Sequence, residues 1–179
     1  MLVQAQLLSY QVFKLKKEIG TMKVSRVSSS SEVIYESITE VSYKILIELE
    51  IKYMLQETFE EGILMRGHGF SSLNGSKKKT YDIVKKEGGY VLRTEDIPQH
   101  IPFETIIYSA SKIHFEEPKD KQQVFSQHFA TYLNFKEINP HYYLLTSPKG
   151  ENYYRYENGI CIEVTVVRDF GTLHFILRP

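Results

Sequence analysis

The feature of this sequence that most constrains its fold is a pair of alternating runs on either side of Asn158-Gly159. Residues 153–157 and 160–166 both alternate between apolar and polar side chains, which is the period of a β-strand with one buried face. Asn-Gly between two such runs is a strong signal for a β-hairpin, because both residues tolerate the positive φ of tight turns. The stretch therefore predicts two antiparallel strands and a short loop.

Two registers suit this hairpin, and they place different side chains on each face. A two-residue loop puts Arg155 opposite Ile162, which mixes charged and aliphatic side chains. A three-residue loop, residues 157–159, puts Tyr154 opposite Ile162 and separates polar from apolar groups better. The opposite face then carries Tyr153, Arg155, Cys161, Glu163 and Thr165. We predict the three-residue loop and a cross-strand ion pair between Arg155 and Glu163; an anion or ligand contact framed by Tyr153 is the alternative.

Turn signals recur along the chain and predict a meander of neighbouring strands. They include Ile19-Gly20-Thr21, Asn74-Gly75, Gly88-Gly89 and Pro148-Lys149-Gly150. In residues 43–53, Tyr43, Ile45 and Ile47 begin an apolar face, and the opposite face is mostly charged. This pattern predicts one long strand with a solvated face, as in an antiparallel sheet. We predict that residues 1–179 form a single β-rich domain.

The strand pattern is interrupted at Pro98 and Pro102, which cannot both lie in a paired strand. Pro102 suits the first turn of a helix. Apolar residues then follow at helical spacing, namely Phe103, Ile106, Ile107 and Ala110. We predict one short helix near residues 103–111 that covers an open end of the sheet, with an irregular strand as the alternative.

The charges and hydropathy argue against two classes of function. The chain has 22 basic and 22 acidic residues, and its basic run, Lys77-Lys78-Lys79, follows a turn signal, which is typical of a solvated strand end. Nucleic-acid binding needs a clustered basic surface. No stretch approaches the roughly 20 apolar residues that span a bilayer as a helix. We expect no nucleic-acid partner and no membrane-spanning segment.

The first residues bear on location. Val3 and Ala5 have the small-residue spacing that signal peptidase recognises, although no charged segment or apolar core precedes them. We interpret residues 1–5 as the remnant of a signal peptide and expect a periplasmic or extracellular protein; a cytoplasmic protein is the alternative. Cys161 is the single cysteine, so it does not identify the compartment.

Few residues are candidates for catalysis or metal binding. His114 and Glu116 would share a face of a strand, a spacing that suits metal ligation, but the other histidines (His68, His100, His128, His141 and His174) are scattered. Cys161 is expected to be a small packed residue rather than a nucleophile. Nucleophile-elbow, phosphate-loop, dinucleotide and Cys-x-x-Cys motifs are absent. We therefore predict no catalytic, cofactor-binding or metal-binding residues and no cofactor, and we favour a protein that is not an enzyme.

Several strands carry apolar side chains on both faces, in residues 7–15, 63–65 and 160–177. Such a sheet must close on itself, be covered by another layer or face an apolar partner. The fold prediction is therefore all-β: an antiparallel meander that forms a curved sheet or a β-barrel, whose interior suits a ligand.

Ile113-His114-Phe115-Glu116-Glu117-Pro118, followed by Tyr154-Arg155-Tyr156-Glu157-Asn158-Gly159-Ile160-Cys161, resembles an uncharacterised family of exported bacterial β-sheet proteins, a domain of unknown function. The resemblance covers residues 60–179. It implies an extracytoplasmic, β-barrel-like domain with no assigned activity, and it transfers no catalytic residues.

Three functional hypotheses follow. The first is a non-enzymatic exported domain that binds a lipid-like, apolar or amphipathic ligand in or under its sheet. The second is a structural or protein-interaction module of the cell envelope that uses a sheet edge or a tyrosine-rich face. The third is a hydrolase that acts through Glu116, Glu117 or Asp120, which requires two carboxylates that converge in a cleft.

Overall fold

A computed structural model of the protein describes residues 3–44, 48–94, 97–169 and 171–179. In this part of the chain, fourteen strands form one antiparallel sheet. The strands are β1 (Gln4–Lys14), β2 (Lys17–Ser28), β3 (Glu32–Lys44), β4 (Glu48–Glu60), β5 (Ile63–Leu73), β6 (Ser76–Lys86), β7 (Gly89–Thr94), β8 (Ile97–Ile101), β9 (Gln123–Ser126), β10 (Thr131–Asn139), β11 (Tyr142–Ser147), β12 (Gly150–Glu157), β13 (Ile160–Arg168) and β14 (Gly171–Leu177). Within these ranges, no helix is long and apolar enough to cross a membrane.

The strand order is β8-β7-β6-β5-β4-β3-β2-β1-β14-β13-β12-β11-β10-β9. Two meanders therefore meet where β1 pairs with β14, and β8 and β9 are the two edges. The predicted antiparallel meander is confirmed, and of its two forms the curved sheet is the one observed, because the edge strands do not pair with each other.

Residues 102–122 connect the two edges, and we call this segment the strap. Along one face of the sheet it reaches β7, where the backbone N–H of Ile106 donates to the Tyr90 hydroxyl (3.0 Å), and β11, where the Tyr143 hydroxyl donates to Glu117 (3.0 Å). These strands are ten positions apart, or about 48 Å across a flat sheet. Residues 106–117 extend at most about 40 Å, and they include turns at residues 110–115. The sheet therefore curves around the strap.

Several of the chain's 13 tyrosines form hydrogen bonds with the strap. A buried segment without regular structure has backbone carbonyl groups that need donors. The Tyr156 hydroxyl donates to the Ile113 carbonyl (2.9 Å) and the Tyr108 hydroxyl to the Glu116 carbonyl (2.6 Å). Outside the strap, the hydroxyl of Tyr10, which is fully buried in β1, donates to the Cys161 carbonyl in β13 (2.6 Å). Tyrosine fills the core and also supplies a hydroxyl at the end of its ring.

The predicted helix at residues 103–111 is wrong, since the segment is irregular and partly extended. The expected apolar stripe placed Ile106 and Ile107 on one face, but Ile106 is fully buried and Ile107 is 59% exposed. The backbone instead bonds to the sheet: Leu64 N–H donates to the Ile106 carbonyl (2.8 Å), and residues 108 and 110 pair with Phe125 in β9. These hydrogen bonds replace those of a helix. The strap backbone also covers the edge of the sheet at β9.

The register predicted for the 153–166 hairpin is also wrong. The loop is the two-residue Asn158-Gly159, with φ of 51° and 82°, and a bulge follows between Arg155 and Tyr156. The bulge restores the polar face, because it places Arg155 opposite Glu163 rather than Ile162. It also turns Cys161 into the core, where it is fully buried. A bulge adds one unpaired residue and so reverses the faces beyond it.

Two further expectations for local structure fail. The strand predicted over residues 43–53 is divided, because Lys44 ends β3 and pairs with Glu48 at the start of β4; Ile45, Leu46 and Ile47 lie outside the described residues. The turn predicted at Ile19-Gly20-Thr21 lies within β2. Gly20 is required there by close packing, because a Cβ would lie 2.1 Å from the Glu40 carbonyl oxygen.

Candidate functional site

His114 and Glu116 do not form the metal-binding pair that a strand would allow, because residues 110–115 form turns in the strap. The His114 ring lies edge-on to Tyr10 (5.4 Å between centroids), and burial lowers the pKa of His114 to about 4. Glu116 accepts a hydrogen bond from the Tyr35 hydroxyl (2.6 Å). In the described ranges, no group of three or more His, Cys, Asp or Glu side chains is arranged to hold a metal ion.

The remaining histidines lie apart from one another. His68 contacts Asp82 on the exposed face (2.6 Å), His174 contacts Thr165 (3.2 Å), and His128 contacts Lys149 (3.2 Å). His100 is exposed in the edge strand β8. Of the predicted basic run, the Lys77 and Lys78 side chains lie outside the described residues, and Lys79 donates to the His128 carbonyl (3.5 Å).

Cys161 and Arg155 have the structural roles predicted for them. Burial raises the pKa of the Cys161 thiol far above its ordinary value, which leaves it a protonated core residue. The ion pair between Arg155 and Glu163 is present, with 3.6 Å between Nε and Oε2. The ring of Tyr153 stacks on that of Tyr142, 6.0 Å away.

The two adjacent strap carboxylates point to different parts of the sheet. Glu116 bonds to Tyr35 in β3, and Glu117 bonds to Tyr143 in β11, six strands away. Asp120 is exposed at a turn. A hydrolase that uses a carboxylate pair needs two carboxyl groups on one substrate. Glu116 and Glu117 do not provide that geometry.

Glu117 instead fastens the strap to the β10–β11 turn. Its side chain is 3% exposed, and Oε1 accepts bonds from His141 Nδ1 (2.8 Å) and the Tyr143 hydroxyl (3.0 Å). Lys119 Nζ lies 3.5 Å from Oε2. Burial alone would raise the pKa of Glu117, but the bonds from His141 and Tyr143 outweigh it and hold the pKa below its ordinary value. We call these four residues the Glu117 latch.

A groove of about 640 Å³ lies on the outer face of the sheet, where β1 ends beside β14. We call it the outer groove. Its lining residues are Phe13, Lys14, Leu15, Lys16, Gly171, Thr172, His174 and Ile176. Its volume falls within the range of small-molecule sites. Its walls are mainly apolar, and two lysines stand at one end.

Strand register explains why these side chains face outward. Phe13 pairs with His174 and Val12 with Phe175. Val12 and Phe175 are buried in the core, so the adjacent residues Phe13, His174 and Ile176 lie on the opposite face. Ile176, which extends the groove along β14, is accordingly 38% exposed.

The turn at one end of the groove has an unfavourable sequence for its geometry. Leu15 and Lys16 form a two-residue loop with φ of 49° and 66°, and Leu15 is 90% exposed. The loops Asn74-Gly75 and Asn158-Gly159 have the same pair of positive φ values with the residues that suit them. Leucine in the left-handed region is strained, and its exposure adds no burial in return.

Lysines surround this turn. Lys14 Nζ lies 4.4 Å from the centre of the Tyr43 ring, and Lys16 and Lys17 are exposed. The nearby carboxylate of Glu18 forms an ion pair with Arg178 (3.2 Å). Sequence reasoning missed this site, because it placed the turn at residues 19–21. The sequence signal for this turn was the run Lys14-Leu15-Lys16-Lys17, in which a single apolar residue lies between lysines.

A family model, described as a domain of unknown function (DUF6134), matches residues 10–178. The chain belongs to this family. The match begins well before residue 60, where the resemblance seen in the sequence started, and includes both sides of the outer groove. Searches of curated proteins and of solved structures found no match.

Proposed function

We propose that this DUF6134 domain is a non-enzymatic binding protein for an anionic amphipathic ligand, which it holds in the outer groove. The observation that carries the proposal is the combination of apolar walls, from Phe13 to Ile176, with lysines at one end. An alkyl chain on the walls would lose contact with water, which is worth about 25 cal/mol per Å². An anionic head group would meet Lys14 and Lys16.

The inner face of the sheet is the less suitable location for a ligand. Strap residues such as Ile106, Ile113 and Phe115 fill it, and each is at most 5% exposed. A ligand there would have to displace the strap and break the hydrogen bonds that the tyrosines make with it. The outer groove is open without any such rearrangement.

A titration with dodecyl phosphate below its critical micelle concentration, followed by calorimetry, tests the proposal. Dodecyl maltoside, with the same chain and a neutral head group, is expected to bind more weakly. Ile176→Lys should lower affinity about tenfold, because it places a charge on the apolar wall. Lys16→Glu should lower the affinity for dodecyl phosphate by up to about fivefold, since an exposed charge contact contributes up to about 1 kcal/mol.

Ile38→Lys is the matched control. Ile38 is also 38% exposed on the outer face, but it lies in β3, away from the groove. Equal losses in the Ile176 and Ile38 variants would refute the groove as the site. Absence of any binding by the wild-type protein would refute the proposed function.

The proposed location is outside the cytoplasm, as the family resemblance implies. Fractionation of cells that express the native gene tests this separately. Recovery of the protein with the cytoplasmic fraction would contradict the proposed location, and the ligand titration would be unaffected by that result.

A further inference from the structure

We infer that residues 14–17, which we call the basic tip, dock the protein on an anionic lipid bilayer. This inference rests on the proposed function, because it names the membrane as the source of the amphipathic ligand.

Leu15 has the position and exposure of an insertion residue. It occupies the end of the β1–β2 hairpin, is 90% exposed and has a φ of 49°. A side chain that protrudes from a hairpin can enter the boundary between lipid head groups and acyl chains without any change in the sheet. The bilayer would supply the burial that the folded protein does not give this side chain.

The charge around Leu15 favours anionic lipid. Lys16 and Lys17 are exposed beside it, and Lys44 is exposed at the end of β3. The whole chain has no net charge, so this basic cluster is a local feature. Each lysine near an anionic membrane surface contributes about 1 kcal/mol, or roughly fivefold in affinity.

The size of the tip favours a membrane over a protein partner. A stable protein interface buries about 800 Å² on each side and has a broad, well-packed centre. A two-residue turn with one protruding leucine offers far less area. Insertion of one apolar side chain together with several lysines at the head groups instead combines an apolar element with basic charge, which are the two contributions to reversible membrane binding.

Flotation with vesicles tests the inference. Wild-type protein should float with phosphatidylcholine vesicles that contain phosphatidylglycerol, float much less with phosphatidylcholine alone, and detach at high salt. Leu15→Asn should weaken binding about tenfold, and Lys16→Glu by about fivefold or more. Asn suits positive φ, so the first variant removes the apolar group without disturbing the turn.

Ile107→Asn and Lys86→Glu are the matched controls, because Ile107 is 59% exposed in the strap and Lys86 is exposed at the far end of the hairpins. Neither should change flotation. Failure of the wild-type protein to bind the anionic vesicles overturns the inference, as does equal binding of the Leu15 and Ile107 variants.

The dodecyl phosphate titration distinguishes this failure from failure of the proposed function. If the wild-type protein binds dodecyl phosphate but not vesicles, membrane docking is wrong and the groove remains a binding site. If vesicles bind through Leu15 and dodecyl phosphate does not bind, docking is supported and the groove is not the ligand site.

Discussion

Removal of the Glu117 carboxylate should destabilise the protein by about 3 kcal/mol. Glu117 Oε1 accepts hydrogen bonds from His141 and Tyr143, and the Tyr143 side chain is itself buried. Glu117→Ala loses two bonds to a charged acceptor and leaves the Tyr143 hydroxyl without this acceptor, which costs about 1–3 kcal/mol for the buried donor alone. The bond from His141 adds less, because that side chain is 58% exposed.

Urea unfolding of four proteins measures this effect: wild type, Glu117→Ala, Tyr143→Phe and the double variant. The double-mutant cycle isolates the energy of the bond between these two side chains, which we expect to be about 1–2 kcal/mol. Glu87→Ala, which changes an exposed carboxylate at a turn, should alter the free energy of unfolding by less than about 0.5 kcal/mol. A coupling energy near zero would refute the latch.

The direction in which stability changes with pH follows from the pKa of Glu117. The pKa of Glu117 is lower in the folded protein than in the unfolded chain. Its stabilisation is therefore fully present above the unfolded pKa, about 4.3, and is lost as the pH falls through the folded value. In Glu117→Ala this part of the acid sensitivity should be absent, and an unchanged acid profile would contradict the assignment.

Further predictions concern the turn, the core and the buried titratable groups. Leu15→Asn should raise the free energy of unfolding by about 1 kcal/mol in urea, and a loss of stability would contradict the strain that we assign to this turn. Gly69→Ala should cost about 1–3 kcal/mol or more, because its Cβ would lie 2.2 Å from the ring of Tyr81; a neutral result would show that the ring moves freely. Cys161 should react with a thiol reagent only as fast as the protein unfolds, and rapid labelling at neutral pH would contradict its burial. Stability should fall as the pH decreases from about 6.5 to about 4, because the His114 pKa is about 4 in the folded protein and about 6.5 in the unfolded chain. His114→Gln should make this dependence of stability on pH less steep. An equal slope in both proteins would show that a group other than His114 takes up the proton.

The sheet was predictable because its signals are local. Alternation of side chains and dipeptides such as Asn74-Gly75 act within a few residues, and they are sufficient to predict a meander. The curvature followed from apolar groups on both faces. What covers the inner face was not predictable, because residues 103–111 have a helical spacing of apolar side chains and become irregular only through long-range bonds to β5, β7 and β9.

Register and site depended on features that the sequence does not mark. The bulge beside Arg155 reverses the faces of residues 160 and 161, and no turn residue signals it. Gly67 and Gly69 leave room for the side chains of Gln127 and Tyr81, contacts that depend on residues distant in the sequence. The outer groove was missed for two reasons: its turn was predicted at residues 19–21 instead of 15–16, and its walls come from β1 and β14, which are far apart in sequence.

The most direct test of the central claim is to locate a bound amphiphile by nuclear magnetic resonance. We predict that dodecyl phosphate shifts the backbone amide signals of residues 13–16 and 171–176, and that a spin label on the alkyl chain broadens the signals near Ile176. The signals of strap residues 106–117 should remain unchanged. Shifts concentrated in the strap, or no saturable shifts at all, would contradict the assignment of the outer groove as the binding site.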